Sequence, residues 1–410
     1  MQTFGGNYVP SATYDNNDTL DAPGCHPGTR VSFLNRLSNW VKDPVSPVDV
    51  VWLHGHAGAG KSAVARSFAE GLDAEGLLAG SFFFFRTDSR RNSEKSFVMT
   101  LAYQIARSMP VALGYITKAV EDDPTICSRS LQTQFEMLIV DPIAQISTSE
   151  AFLPKLVIID GLDECADRKA RSIILKSIFD NLPRLRGHLR FLITSRPAYD
   201  IQRSFKSAAA SHKQHVDTIE LLGDLHAHED IRIYLRDNLE RIKQAHALEA
   251  YITPEWPSDD EIERLAEESS GRFVYASTAI KYIENGPEPQ QRLDDIIKFL
   301  AAIPVDDNIF KLLMEVDVSY LMDPANELMT RSLNSNVKTR VTFVNIRASA
   351  VHLWWRDFKG QRVSYGSLSQ NTPMEMITYV THPWVITDEE TGASLGIWHP
   401  TVEHGILLIK

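Results

Sequence analysis

Apolar residues recur along the chain in three different rhythms. Between about residues 30 and 225, short unbroken apolar runs alternate with stretches of helical spacing. The runs are Val50-Val51-Trp52-Leu53, Gly80-Ser81-Phe82-Phe83-Phe84-Phe85, Leu156-Val157-Ile158-Ile159, Leu189 to Thr194 and Val216 to Leu221. Runs this short and unbroken are expected of strands covered on both faces, and their alternation with helices predicts a doubly wound parallel α/β sheet. An interior strand also accounts for the four consecutive phenylalanines. Val31, Leu34, Leu37, Trp40 and Val41 recur at helical spacing, which predicts a helix over 30–41 with all five on one face.

From 226 to 303 the period lengthens to that of amphipathic helices. Ile231, Tyr234, Leu235 and Leu239 share one face, and Ile262, Leu265 and Ala266 another. A further helix opens at Gly271-Arg272-Phe273-Val274-Tyr275-Ala276 and ends near Gly286-Pro287. From 331 the pattern becomes short alternating segments separated by turn residues, the signature of an all-β sandwich. Trp354, Trp355, Trp384 and Trp398, four of the seven tryptophans, fall there, so this part should hold an aromatic core or site of its own. The expected organisation is a mobile polar lead-in (1–22), a P-loop α/β domain (23–225), an appended helical domain (226–303), a connector of weak helical character (304–330) and the C-terminal sandwich (331–410).

Composition narrows the classes. The chain has 410 residues, too many for one ordinary core, with 43% hydrophobic and 23% charged residues. A net charge of −11 argues against nucleic acid or an anionic membrane as partner. The densest apolar run, Leu77 to Phe85, is too short to span a bilayer, and the N-terminus lacks the pattern of a secretory signal. Cys25, Cys127 and Cys165 match no zinc spacing and cannot form an even disulfide framework, which suggests a reducing, cytoplasmic setting. His226 and His228 diverge on a helix and are expected to be a solvated first turn rather than a metal site.

The first apolar run leads into Gly55-His56-Ala57-Gly58-Ala59-Gly60-Lys61-Ser62, followed by a helical stretch. Strand, G-x-x-x-x-G-K-S loop and helix make a P-loop in its required context. Its backbone N–H groups and the helix N-terminus are suited to phosphate oxygens. Lys61 would reach the β- and γ-phosphates of ATP or GTP, and Ser62 would contact Mg²⁺. His54 and His56 would shape the loop rather than catalyse. The run ending at Asp160 supplies the acid such a site needs for Mg²⁺, with Asp163 or Glu164 available to orient or deprotonate water. Arg196, in Thr194-Ser195-Arg196-Pro197, sits where the ends of parallel strands face a ligand and could sense the γ-phosphate.

Together Gly55–Ser62, Asp160-Gly161-Leu162-Asp163-Glu164, Thr194–Pro197, Cys25-His26-Pro27-Gly28-Thr29-Arg30 and Gly271–Ala276 resemble the NACHT family of STAND-class signalling NTPases, in its fungal form, over about 22–303. The resemblance implies ATP or GTP with Mg²⁺, slow hydrolysis, a nucleotide-dependent change of assembly state such as homo-oligomerisation, and a place near the base for Thr29 and Arg30. That family usually continues into a winged-helix segment that locks the diphosphate form, and only a short connector stands here.

A second resemblance covers about 331–405. Arg331-Ser332-Leu333-Asn334-Ser335, Thr342-Phe343-Val344-Asn345, Trp355-Arg356-Asp357-Phe358-Lys359-Gly360, Tyr365-Gly366-Ser367-Leu368 and Ile377-Thr378-Tyr379-Val380-Thr381-His382-Pro383-Trp384 are similar to the β domain of the von Hippel–Lindau tumour suppressor. That resemblance implies recognition of a peptide carrying hydroxyproline, by Trp355, Tyr365, Thr378, Tyr379, His382 and Trp384. Thr378 stands where that family has a serine. The family's helical domain, which binds elongin C, is not expected in a sequence that stops at Lys410; this counts against a ubiquitin-ligase receptor. Thr378, His382 and Trp384 lie at even separations, so in one extended segment they would project to a single face. The expected protein is a nucleotide switch with a peptide-binding sandwich; a non-hydrolysing, nucleotide-stabilised scaffold is the alternative.

Overall fold

The computed structural model describes residues 8–16, 23–86, 88–147, 153–211, 214–221, 226–245, 253–269, 271–284, 288–302, 331–332, 338–345, 347, 349–370, 372–379, 381–398, 400 and 405–409. The connector expected at 304–330, and Leu333, Asn334 and Ser335, lie outside them. The chain divides into two compact units, Met1–Asp230 and Ile231–Lys410.

The first unit is built on five strands: β1 (Val50–His54), β2 (Leu78–Phe83), β3 (Lys155–Asp160), β4 (Leu189–Ser195) and β5 (Val216–Glu220). All pair in parallel, in the order β2-β3-β4-β1-β5. The helices are α1 (Val31–Lys42), α2 (Lys61–Ala74), α3 (Phe97–Ser108), α4 (Pro110–Asp122), α5 (Leu131–Phe135), α6 (Asp141–Ala144), α7 (Arg168–Leu185) and α8 (Tyr199–Ser211). The strand residues divide between two cores with period two. Val50, Trp52, Val157, Ile159, Phe191 and Ile193 join the core that α3, α4, α7 and α8 help to build. Val51, Leu53, Leu156, Ile158 and Leu192 join the one under α1 and α2. Each such burial is worth about 1.5–3 kcal/mol relative to exposure, which is why near-continuous apolar strands are required here. Phe82 and Phe84 enter the first core and Phe83 the second.

Two local features refine the expected picture. In α1, Phe33, Leu37 and Val41 form the buried stripe, whereas Val31 is 51% exposed in the first turn. The polar lead-in is anchored over residues 8–16. Val9 and Ala12 are buried, the Val9 N–H donates to Thr100 Oγ1 at 3.1 Å, and the Tyr14 hydroxyl donates to Asp73 Oδ2 at 2.7 Å.

The helix α9 (Ala227–Ala245) starts in the first unit, with His226 exposed before it. In the second unit its later turns join α10 (Asp259–Ser269), α11 (Phe273–Glu284) and α12 (Pro289–Ala302) around Ile231, Leu235, Leu265 and Ile280. The sandwich follows with β6 (Lys338–Asn345), β7 (Val351–Arg356), β8 (Arg362–Leu368), β9 (Pro373–Tyr379), β10 (Trp384–Asp388), β11 (Ser394–Trp398) and β12 (Gly405–Ile409). One sheet has the order β11-β10-β7-β8 and the other β12-β6-β9. Between them Phe343, Leu353, Trp384, Ile386, Trp398 and Leu407 fill the core. Val344, on the opposite face of β6 from Phe343, packs into the helical cluster, so the helical and β parts form one unit. Among the described residues no helix is long and apolar enough to cross a membrane.

Candidate functional site

The strand order determines what the P-loop faces. β4 lies between β1, which feeds the loop, and β3, which ends in Asp160. The C-terminal ends of these three parallel strands therefore present the loop, the acid and Thr194-Ser195-Arg196 side by side, the usual ligand edge of such a sheet. Gly60, at φ +91°, turns the chain into α2 in a conformation that side chains resist. Lys61 and Ser62 are then the first two residues of a 14-residue helix, whose opening N–H groups have no helical acceptor.

The expected residues converge. Lys61 Nζ donates to the carbonyls of Gly55 and His56, both at 2.8 Å. Burial pulls the Lys61 pKa down, against the attraction of Asp163 and Asp160. Asp160 accepts from Thr194 Oγ1 at 2.5 Å and is hydrogen-bonded to the Ser62 side chain. Ser62 and Asp160 thus form an adjacent pair of hard oxygen donors, as Mg²⁺ prefers. No group of three or more His, Cys, Asp or Glu able to hold a metal exists among the described residues. A magnesium ion here would complete its shell with phosphate and water oxygens, as this ion commonly does.

Burial raises the Asp160 pKa to about 6 from 3.8, although the Thr194 and Ser62 hydrogen bonds oppose the shift. The linkage sign follows from a folded pKa above the unfolded one. The protonated acid favours the fold below about pH 4, and that contribution is lost as pH rises through about 6. Asp160→Asn should therefore stabilise the protein at pH 7 by on the order of 2–3 kcal/mol while weakening magnesium-dependent nucleotide binding. Chemical denaturation at pH 7 without magnesium, paired with a binding titration, checks both halves.

Asp163 and Glu164 sit in a single 3₁₀ turn, Leu162–Glu164, and differ in surroundings. Asp163 is 6% exposed; it accepts the Arg196 backbone N–H at 2.8 Å and pairs with its Nε at 3.3 Å. It holds Arg196 at the strand end. Glu164 is half-buried and accepts the Arg86 N–H at 3.0 Å, which makes it the more accessible carboxylate.

Thr29 and Arg30 are both buried, and Arg30 is the one non-glycine residue at positive φ among those described (φ 55°). Its guanidinium donates to the P-loop carbonyl of Ala59 at 3.3 Å, and its N–H donates to Asp230 in the first turn of α9 at 3.0 Å. Thr194 and Asp230 were not among the residues expected in the site. Thr194 had a signal, a hydroxyl at the strand end, whereas Asp230 is brought in by a contact across 200 positions.

In the sandwich, all six expected residues form one cluster, but the expected route to it is wrong. β9 ends at Tyr379, the His382 N–H closes a turn onto the Tyr379 carbonyl, and β10 begins at Trp384 in the other sheet. Thr378 and Trp384 therefore meet across a chain reversal, not along one extended segment. The Thr378 hydroxyl, 2% exposed, accepts the Trp384 Nε1–H at 3.0 Å, so both residues belong to the core. His382 stacks on Trp355 with ring centroids 5.0 Å apart and lies 4.9 Å from Tyr379. Tyr365 contacts Trp384 at 4.8 Å and is 48% exposed. Phe358, unexpected in the site, is also 48% exposed and lies 5.5 Å from His382.

The fold and loop define a P-loop NTPase domain joined to a β-sandwich. Residues 28–196 match the family described as nephrocystin 3, N-terminal, and residues 330–400 match the VHL beta domain. No curated protein matches the chain. Among solved structures it is similar to the Walker-type ATPase of Pyrococcus abyssi, at 14% identity over 68% of this chain and 75% of that one, with a TM-score of 0.43. It is also similar to the ORC2 protein of Aeropyrum pernix in ADPNP–ADP complexes, at 12% identity over 76% and 74%, with a TM-score of 0.40.

Proposed function

We propose that the protein is a NACHT-type nucleotide switch that binds ATP or GTP with Mg²⁺, hydrolyses it slowly, and carries a sandwich that recognises an extended, hydroxyproline-containing peptide. The observation that carries the nucleotide half is the convergence of Lys61, Ser62, Asp160 and Thr194 at the ends of β1, β4 and β3. In this reading Gly55 to Gly60 cradle phosphate, Lys61 neutralises it, and Ser62 and Asp160 hold the metal. Arg196, aimed by Asp163, reaches the γ-phosphate, Thr29 and Arg30 flank the base, and Glu164 deprotonates water. The peptide half is supported by exposed aromatic surface at Tyr365 and Phe358 over a floor of Trp355 and His382. Nucleotide-dependent homo-oligomerisation belongs to the same proposal.

A second reading is a nucleotide-stabilised scaffold that does not hydrolyse. It is favoured by one observation: both acids near the loop already have protein partners, Arg196 for Asp163 and the Arg86 N–H for Glu164. Single-turnover phosphate release separates the two. Glu164→Gln should retain triphosphate binding and slow release by about 10²-fold or more, the usual worth of a general base. No release from the unaltered protein would establish the scaffold.

A further inference from the structure

On the outer face of the four-stranded sheet, away from the aromatic cluster, a serine, a histidine and a glutamate are joined in series. The Ser364 hydroxyl lies 2.7 Å from His352 Nε2, and His352 Nδ1 lies 3.1 Å from Glu389 Oε2. An ionised carboxylate can only accept, so Nδ1 carries the proton and Nε2 is left to accept from the Ser364 hydroxyl. Glu389 is ionised at neutral pH, because a hydrogen bond from Ser367 at 2.6 Å holds its carboxyl below the usual range. Nucleophile, base and orienting acid within hydrogen-bond reach are the geometric signature of an activated serine.

The backbone is built to give this arrangement. Ser364 and Ser367 are three apart and would point to opposite faces of a regular strand. The register of β7 against β8 shifts here, with Leu353 opposite Gly366 and Trp354 opposite Ser364. Tyr365 is the extra residue of a β-bulge. It turns toward Trp355 and Trp384, and both serines come to face His352. Gly366, at φ +107°, accommodates the bulge. Glu389 is aimed by its own turn: its N–H donates to the Ala350 carbonyl at 2.9 Å, and Asp388 accepts the Thr391 N–H at 3.0 Å. Ser364 is exposed, and the His352 side chain keeps 20% of its surface accessible. Trp354, with its ring 4.3 Å from that of His352, offers an apolar plane beside the serine, and the Arg362 guanidinium lies 5.8 Å from the Trp354 ring.

We infer that Ser364, His352 and Glu389 form a second active site, which cleaves carboxylic esters by acyl transfer to Ser364. Ser364 Oγ attacks the ester carbonyl carbon as its proton passes to His352 Nε2. The carbon–oxygen bond to the alcohol breaks, and the alcohol leaves with that proton. Water then attacks the acyl-serine, giving a proton to Nε2. That proton returns to Ser364 Oγ as the carboxylic acid departs. Glu389 holds the Nδ1 proton in place throughout, so that Nε2 accepts and returns the proton of each step.

The test uses the full chain, a fluorophosphonate probe with peptide mapping, and hydrolysis of p-nitrophenyl acetate. Labelling at Ser364 is expected, together with measurable hydrolysis by the unaltered protein. Ser364→Ala and His352→Ala should each lower hydrolysis by about 10²-fold or more, and Glu389→Gln should lower kcat with little change in KM. The exposed Ser369→Ala serves as the control for adventitious serines. Far-ultraviolet circular dichroism confirms that each variant is folded. Absence of label from the folded protein, label on another serine, or hydrolysis unchanged in Ser364→Ala would overturn the assignment. The nucleotide measurements above are independent of this result.

Discussion

Lys61→Ala is expected to reduce triphosphate binding by at least about 10²-fold, to the point where titration no longer detects it. A charge-assisted hydrogen bond is worth roughly 1.5–3 kcal/mol, and this ammonium would face several phosphate oxygens in a half-dry site. The side chain has nothing to give up that water could not replace. Its two acceptors, the carbonyls of Gly55 and His56, belong to the loop itself and can be solvated when the amine is gone. Binding should therefore collapse with little change in stability. Isothermal titration with ATP and GTP, beside a thermal melt, measures both. Unchanged affinity would remove the P-loop assignment, and an unfolded variant would show that Lys61 is structural.

The second large effect separates core from pocket in the sandwich. Trp384 is 2% exposed between Phe343 and Tyr365, and truncating it to alanine should cost about 3–5 kcal/mol and unfold much of the domain. Tyr365→Ala removes a ring that is nearly half exposed and should leave the melting temperature within a few degrees. If the exposed aromatic surface is the peptide site, that same change should abolish binding of a hydroxyproline peptide. The unaltered protein should prefer hydroxyproline over proline by about 10²-fold, since a site built to pair a hydroxyl leaves its polar groups unpaired against the analogue lacking one. Thr378 is buried in the core, whereas His382 stacks on Trp355 beside exposed Phe358, so the expected discriminating residue is His382, and His382→Ala should level the two peptides. Calorimetry with paired peptides reads this directly; equal affinities for the unaltered protein would end the hydroxyproline reading.

How legible each feature was in the sequence depended on how local its cause is. The parallel strands were legible because burial on both faces demands near-continuous apolar runs, which β1, β3 and β4 supply over Val50–Leu53, Leu156–Ile159 and Phe191–Ile193. The P-loop was legible because its spacing, glycines and flanks lie within one short stretch. The lead-in was misread because its anchors, Val9, Ala12 and Tyr14, are scattered through polar sequence with no period. The partnership of Asp163 with Arg196 spans 33 positions, and that of Arg30 with Asp230 spans 200, so nothing local announces either. The bulge at Tyr365 was invisible for another reason. Strict alternation would send Ser364 and Ser367 to opposite faces, and only the register against β7 shows that they share one.

Thr194 and its neighbour Ser195 face opposite ways from β4. One hydroxyl grips Asp160; the other accepts the indole N–H of Trp52 at 2.8 Å. Trp52 is 5% exposed, stacked on Phe205 with ring centroids 4.5 Å apart, and its strand β1 is separated from that of Asp160 by β4 alone. Its excited state is sensitive to the strength of that one hydrogen bond and to the field of the charges beyond it. In a variant that keeps Trp52 as its one tryptophan, the fluorescence of this buried ring would report on the proposed nucleotide site without an added label.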